Sequence, residues 1–312
     1  MFLCCGDALF DLFAGDAPEG GTAIQLSGNV GGSPMNVASG LARLAHQSRY
    51  FTKLSSDTFG TRMRRYLADN RIDTSLCLDT DQNTTLAIVE TNPDGSARYV
   101  FYTDNTADVS INEHELPAAL PDDVAVVHFG SYSTAVDPTG SSLMALAARE
   151  NSRRVISYDP NLRPTIEPDV EKWRAVFNGY AASATLIKAS DEDIETLLGA
   201  GNEEKFVADC FAHGAQLVFI TRGPDGAQGF KPDGSSVSIA GTAVSVVDTV
   251  GAGDTFQATL LHWLSEHGHL GAGGLLQGEV DIEAAMRLAV KAAAITCTRA
   301  GADLPSRNEL YN

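Results

Sequence analysis

Short apolar runs alternate with stretches of helical spacing through most of this chain. Residues 2–5 form an apolar run that predicts an opening strand, with Asp11 carried at its end. Residues 12–29 are rich in small and polar residues, and a strand is expected over 22–26. Val37, Leu41 and Leu44 recur at i, i+4 and i+7, which predicts a helix. Gly31-Gly32 stand at its start, Pro34 suits its first turn, and Asn36 lies in that turn. A further helix is expected over 60–70. Residues 84–90 and 97–103 read as two strands joined by Asn92-Pro93-Asp94-Gly95, a strong hairpin turn signal. This β-only patch interrupts the alternation and predicts a small separate sheet or lid, built from about 12–29 and 76–105.

From residue 124 the pattern becomes regular. Strands are predicted over 124–129, 155–158, 185–188, 217–221 and 243–247. Helices are predicted over 141–150, 171–178, 191–198, 203–213, 255–264 and 282–298. Such alternation predicts an α/β fold, a doubly wound and mostly parallel sheet flanked by helices. The whole chain, 1–312, then forms one domain with the lid inserted in it. Ligands of such sheets lie outside the carboxyl ends of the strands. Asp11, residues 159–163, Lys188, residues 221–226 and residues 248–254 all fall at such ends. No internal repeat or low-complexity tract interrupts the pattern.

One turn stands out. Asp248-Thr249-Val250-Gly251-Ala252-Gly253-Asp254-Thr255-Phe256 joins the β-branched run at 243–247 to a helix. The first N–H groups of a helix have no partner within it and lie at the positive end of its dipole. Gly251 and Gly253 remove the side chains that would hold an anion away, so the turn suits phosphate oxygens. Asp254 is a poor phosphate ligand, since like charges repel. Its place there points to removal of a proton from the group that attacks the phosphate. Alone, the segment reads equally well as a tight turn with an ordinary helix-capping aspartate.

Composition narrows the choice. With 312 residues, 44% of them hydrophobic and 20% charged, the chain is ordinary globular protein. A formal net charge of -18 argues against nucleic acid and against anionic membrane surfaces. Five cysteines at irregular spacing, with no Cys-x-x-Cys, fit reduced thiols in a cytoplasm and not a disulfide framework or a zinc site. The first residues lack a basic segment, which argues against a signal peptide, and no apolar run is long enough for a membrane span. No Gly-Lys dipeptide occurs, which excludes a Walker-type loop. No Gly-x-Gly-x-x-Gly follows a strand, which disfavours a dinucleotide oxidoreductase. His267-Gly268-His269 reads as part of a glycine-rich surface loop.

Taken together, Gly31-Gly32 with Asn36 and Ala38, and Asp248 to Phe256, resemble the two signature segments of the ribokinase-like (PfkB) carbohydrate kinases. The resemblance runs through the whole chain in order. Asp159-Pro160-Asn161-Leu162-Arg163-Pro164 and His128-Phe129-Gly130-Ser131 look like the fructokinase branch. Thr221-Arg222-Gly223-Pro224-Asp225-Gly226 is similar to the family's nucleotide-binding turn.

This resemblance implies an ATP-dependent kinase that phosphorylates a primary hydroxyl of a ketohexose, with fructose first and 2-keto-3-deoxygluconate as the runner-up. Asp254 would be the base, and the N–H groups of Gly251, Ala252 and Gly253 would stabilise charge on the transferred phosphoryl group. At a helix start the Asp254 pKa is expected to be depressed. Asp11, Gly31, Gly32, Asn36 and Arg163 would hold the sugar. Lys188, Thr221, Gly223, Gly226 and Lys291 would hold the nucleotide. Lys188 stands where the family often has asparagine, in Lys188-Ala189-Ser190-Asp191. Asp191 would serve Mg²⁺ indirectly, and Asp248 a monovalent cation such as K⁺. Family lids also pair into homodimers. A non-catalytic sugar- or nucleotide-binding regulator would keep the same fold, and Asp254 between its glycines argues against it.

Overall fold

The computed structural model describes residues 1–15, 22–91, 97–271 and 273–312. The hairpin turn expected over 92–95 and part of the 12–29 segment lie outside them. Fourteen strands and nine α-helices follow one another in these residues. The strands are β1 (Phe2–Cys5), β2 (Leu9–Ala14), β3 (Leu26–Gly31), β4 (Ser48–Phe51), β5 (Lys53–Ser55), β6 (Leu78–Thr80), β7 (Thr85–Thr91), β8 (Ala97–Tyr102), β9 (Val126–Gly130), β10 (Val155–Asp159), β11 (Leu186–Ser190), β12 (Leu217–Thr221), β13 (Ala227–Phe230) and β14 (Ser236–Ile239). The helices are α1 (Ser33–Arg43), α2 (Thr58–Asp69), α3 (Thr139–Glu150), α4 (Val170–Ala181), α5 (Asp191–Leu198), α6 (Glu203–Ala212), α7 (Ala252–Glu266), α8 (Ile282–Cys297) and α9 (Arg307–Tyr311).

Eight strands form the large sheet in the order β14-β13-β12-β11-β10-β9-β1-β4. It is parallel from β4 to β12, and β13 and β14 add an antiparallel edge. Its strands bury both faces, and their side chains alternate between two cores. Leu3, Cys5, Val127, Phe129, Ile156, Tyr158, Ile187 and Val218 pack on the side of α3 to α6. Phe2, Cys4, Val126 and Val155 face α1 and α7. Leu186, Leu217 and Phe219 face α7 and α8. By the same parity His128, Ser157, Asp159 and Lys188 belong to the α1/α7 side, a polar set on an otherwise apolar face.

A second sheet of four strands, ordered β3-β2-β7-β8, stands apart. Asp11 lies inside β2, paired in register with Asn29 and Ala87. It is therefore a residue of the small sheet, not of the opening strand, because the chain turns at Gly6 and Asp7 before β2 begins. The strand expected over 22–26 forms later, at Leu26–Gly31. Residues 76–80 also leave the small sheet, since β6 pairs with β5.

The run at 243–247 forms no strand. It is exposed, with Val246 and Val247 at 62% and 64% accessibility, and its last residue donates a backbone hydrogen bond to the Cys297 carbonyl. β-branched residues predict a strand only if a neighbouring strand accepts them. At this end of the sheet β13 and β14 already occupy the edge.

Candidate active site

The N-termini of α1 and α7 meet over the carboxyl ends of β10 and β11. Gly32 caps α1 at φ 120°, and Pro34 lies in its first turn. A side chain at Gly32 would stand 2.3 Å from the Asp7 carbonyl, and one at Gly31 2.3 Å from the Asp11 carboxylate. The glycine pair thus lets β3 run close over β2 and turn straight into the helix. Gly251 caps α7 in the left-handed region at φ 79°. A side chain there would meet the Ala302 methyl at 2.7 Å, and one at Gly253 would stand 3.2 Å from the Lys188 ammonium.

Asp254, in the first turn of α7, is buried. Ser33 Oγ donates to its Oδ1 at 2.6 Å, and Asn36 Nδ2 to its Oδ2 at 2.8 Å. Burial raises the Asp254 pKa, against those two hydrogen bonds and the charges of Lys188 and Arg163. The depression expected from the helix dipole is therefore overturned. Removing a carboxylate from water outweighs partial charges at a helix end. The same cause lifts Asp11 to about 6, with Arg163 opposing it and Asp248 and Asp254 adding to it. Asp11, Arg163 and Asp254 thus share one electrostatic neighbourhood. Arg163 is fixed by its own loop, where Nη1 donates to the carbonyls of Asn161 and Leu162 and to Asn161 Oδ1.

Lys188 is buried and donates to Asp159 Oδ2 at 2.6 Å. Burial alone would lower its pKa, but Asp159 holds it above the usual lysine value. Asp159 itself rises to about 6 through burial, with Lys188 opposing the shift. The pair is ionised at neutral pH and sets a cation directly beside Gly253.

Of the three N–H groups expected to face an anion, Ala252 donates to the Thr249 carbonyl at 3.2 Å. Gly251 and Gly253 show no backbone acceptor among the described residues. Asp248 clips the turn in place, accepting from the Val250 N–H at 3.0 Å and the Gly301 N–H at 2.8 Å.

Thr221 closes β12, and Gly223 and Gly226 follow it on the same edge of the sheet. Thr221 pairs in register with Ser190, and Arg222 N–H reaches back to the Gly226 carbonyl at 2.8 Å. Gly226 has φ 100°, and a side chain there would run into the Ile239 carbonyl. Asp191 opens α5 behind the Ser190 cap, and its Oδ1 accepts the Glu192 N–H at 3.0 Å. Its neighbour Asp193 does the stapling, accepting from Leu162 and Ser190 N–H groups. Lys291 is not brought into this arrangement. Its ammonium donates to the Leu310 carbonyl at 2.6 Å.

Ser33, Asp7 and Asp159 carry contacts that motif reading did not assign. Ser33 sits between a glycine and a proline, where a hydroxyl serves the helix start as readily as a distant carboxylate. Only the approach of α7 decides between them.

The geometry now has counterparts. A family model described as "pfkB family carbohydrate kinase" matches residues 2–309. The chain belongs to the pfkB family of carbohydrate kinases. It is thus a phosphotransferase by family. It is 38% identical to a fructokinase of Rhizobium leguminosarum bv. trifolii over 261 residues, covering 84% of this chain and 78% of the relative. It is 32% identical to fructokinase-1 of Oryza sativa subsp. japonica, covering 90% and 86%. Among solved structures it resembles fructokinase from Xylella fastidiosa with bound ATP, with TM-score 0.89 and 24% identity over 99% of this chain and 96% of that one. A double-mutant fructokinase from Vibrio cholerae O395 holding fructose, ADP and a potassium ion matches with TM-score 0.83 and 28% identity, again over 99% and 96%. No helix among the described residues is long and apolar enough to cross a membrane.

Proposed function

We propose that this kinase transfers the γ-phosphoryl group of ATP to a primary hydroxyl of a ketohexose, converting D-fructose to fructose 6-phosphate. The observation that carries this reading is the Asp254 carboxylate. It is buried at a helix N-terminus, clamped by Ser33 and Asn36, and flanked by Lys188 and Arg163.

In this reading Asp11 and Asn36 accept and donate to sugar hydroxyls, Arg163 faces them, and Gly31 and Gly32 let the sugar lie against the backbone. The sugar oxygen attacks the γ-phosphorus while its proton passes to Asp254. The bond from phosphorus to the bridging oxygen breaks, and ADP leaves. A carboxylate raised by burial is a stronger base, so burial assists the transfer. The Gly251 and Gly253 N–H groups and the Lys188 ammonium face the charge of the transferred group. Ala252 contributes once its N–H leaves Thr249. Thr221, Gly223 and Gly226 form the nucleotide turn. Lys291, tied to Leu310, has no part in it.

Asp191, whose Oδ1 accepts the Glu192 N–H, would help hold a Mg²⁺ ion through water by its other carboxylate oxygen, and that ion would supply positive charge to the ATP phosphates. Asp248 retains lone pairs for a monovalent cation beside the Gly301 turn. The small sheet would act as the lid of a single domain, and its exposed Ile24, Leu26 and Tyr102 suit pairing of two lids. The unpaired cysteines are consistent with a cytoplasmic enzyme.

A coupled ADP-release assay over a panel of sugars tests the reading. Fructose should lead with Mg-ATP, and Asp254→Asn should lose at least about a thousandfold in kcat while retaining sugar binding. If no sugar releases ADP, the kinase reading falls. If 2-keto-3-deoxygluconate leads, only the substrate assignment does.

A further inference from the structure

The two helices that bring Asn36 and Asp254 together carry a second cluster at their far ends. His46 follows the end of α1, and His262 and Glu266 lie four residues apart on α7. One ligand atom from each lies within 4.8 Å of the others. His46 Nε2 and His262 Nδ1 face each other at 2.7 Å. The other nitrogen of His262 meets the Tyr311 hydroxyl at 2.8 Å.

We propose that His46, His262 and Glu266 bind one divalent transition-metal ion of the Zn²⁺ class. Two imidazoles and a carboxylate are a donor set that borderline ions prefer and that Mg²⁺ does not. Spacing of i and i+4 puts His262 and Glu266 on one face of α7, and His46 closes the set from the neighbouring element. Arg307 Nη2 donates a hydrogen bond to Glu266 Oε2.

Two local changes accompany binding. The one proton between the facing ring nitrogens moves to the outer nitrogen of the ring that carries it, the other ring being protonated on its outer nitrogen already; for His262 that outer nitrogen faces Tyr311. A ligating histidine is oriented by such a contact. Arg307 must also leave Glu266. Their side chains are 42% and 34% exposed, so water can replace the contact. The bound ion would then brace α1 against α7 at the ends opposite Ser33, Asn36 and Asp254.

His267 and His269 form a separate feature. Their rings stack with Trp263, each Nδ1 meets a backbone carbonyl, and they supply only two ligands. They serve as the control.

The test is calorimetric titration of the full chain with ZnCl₂, without sugar or nucleotide, with Co²⁺ as a visible probe. One saturable equivalent is expected, with Co²⁺ ligand-field bands and a rise in Tm that equal Mg²⁺ does not produce. His46→Gln and Glu266→Gln, both at accessible positions, should each weaken binding at least about tenfold. His267→Gln with His269→Gln should leave it unchanged. Absence of a saturable equivalent, equal binding by the His46 and Glu266 variants, or loss only in the His267/His269 variant would overturn the proposal. None of these readouts depends on kinase activity.

Discussion

Two opposed influences meet on the charged residues of the site. Burial pushes Asp11, Asp159 and Asp254 toward their neutral forms, while Lys188, Arg163 and the helix-start donors pull the carboxylates back. The Lys188–Asp159 pair shows which influence prevails for a cation. Without Asp159, the buried ammonium keeps only more distant acids and its pKa must fall. In Asp159→Asn the alkaline limb of the kcat profile should therefore move to lower pH. Removing one partner of a buried pair also costs about 3–5 kcal/mol in stability. A pH profile distinguishes the two effects, because a purely structural loss lowers activity without moving the limb. An unmoved limb would refute a charged role for Lys188. Asp254 and Asn36 were legible as site residues from the glycines beside them. Asp159 was legible only as part of a segment, since nothing in its neighbours shows that a lysine 29 residues later shares its pocket.

Among the elements, the glycine-capped helix starts carry the geometry. Gly251 combines a left-handed φ of 79° with a blocked Cβ position, 2.7 Å from Ala302. Gly234 has a similar φ of 85° with nothing within 4 Å. Gly251→Ala should introduce backbone strain and also displace the 300–304 turn from Asp248, costing about 1–3 kcal/mol. Gly234→Ala pays only the backbone part and should cost about 1 kcal/mol. Urea midpoints compare them, and equal losses would refute the contact with Ala302. Helix periods read correctly from α1 to α8 because one face of each meets an apolar core. The run at 243–247 misled because its valines alone cannot say whether a neighbouring strand is available. Strands β4, β13 and β14 escaped for the converse reason: β4 is Ser-Arg-Tyr-Phe and β13 Ala-Gln-Gly-Phe, too short and mixed to show a period.

At the scale of the molecule, the junction of the two sheets holds a buried acidic network that no motif marks. Asp7 accepts from Ser133 Oγ and the Ser33 N–H, while Asp108 accepts from Thr85, Tyr132 and the Ala8 N–H. Burial, with Asp108 adding to it, raises Asp7 to about 7 from 3.8. A carboxyl raised on folding stabilises fully below its unfolded pKa, and that contribution is lost as pH rises through the folded one. Wild type should therefore lose stability relative to Asp7→Asn between about pH 4 and 8. Urea unfolding at a series of pH values measures this, and a pH-independent difference would refute it. By itself, the order of strands and helices determined the α/β class and pointed to the carboxyl edge as the candidate site, while the residues of the two glycine turns carried the resemblance to the family. Periodicity and a left-handed turn are local properties, and residues within a few positions of each other specify them. Tertiary structure alone decided that Asp11 belongs to the small sheet, that Lys188 pairs with Asp159, that Lys291 is drawn away to Leu310, and that Asp254 is raised and not depressed. Each of these depends on which distant surface covers a group and excludes its water, and no local pattern encodes that.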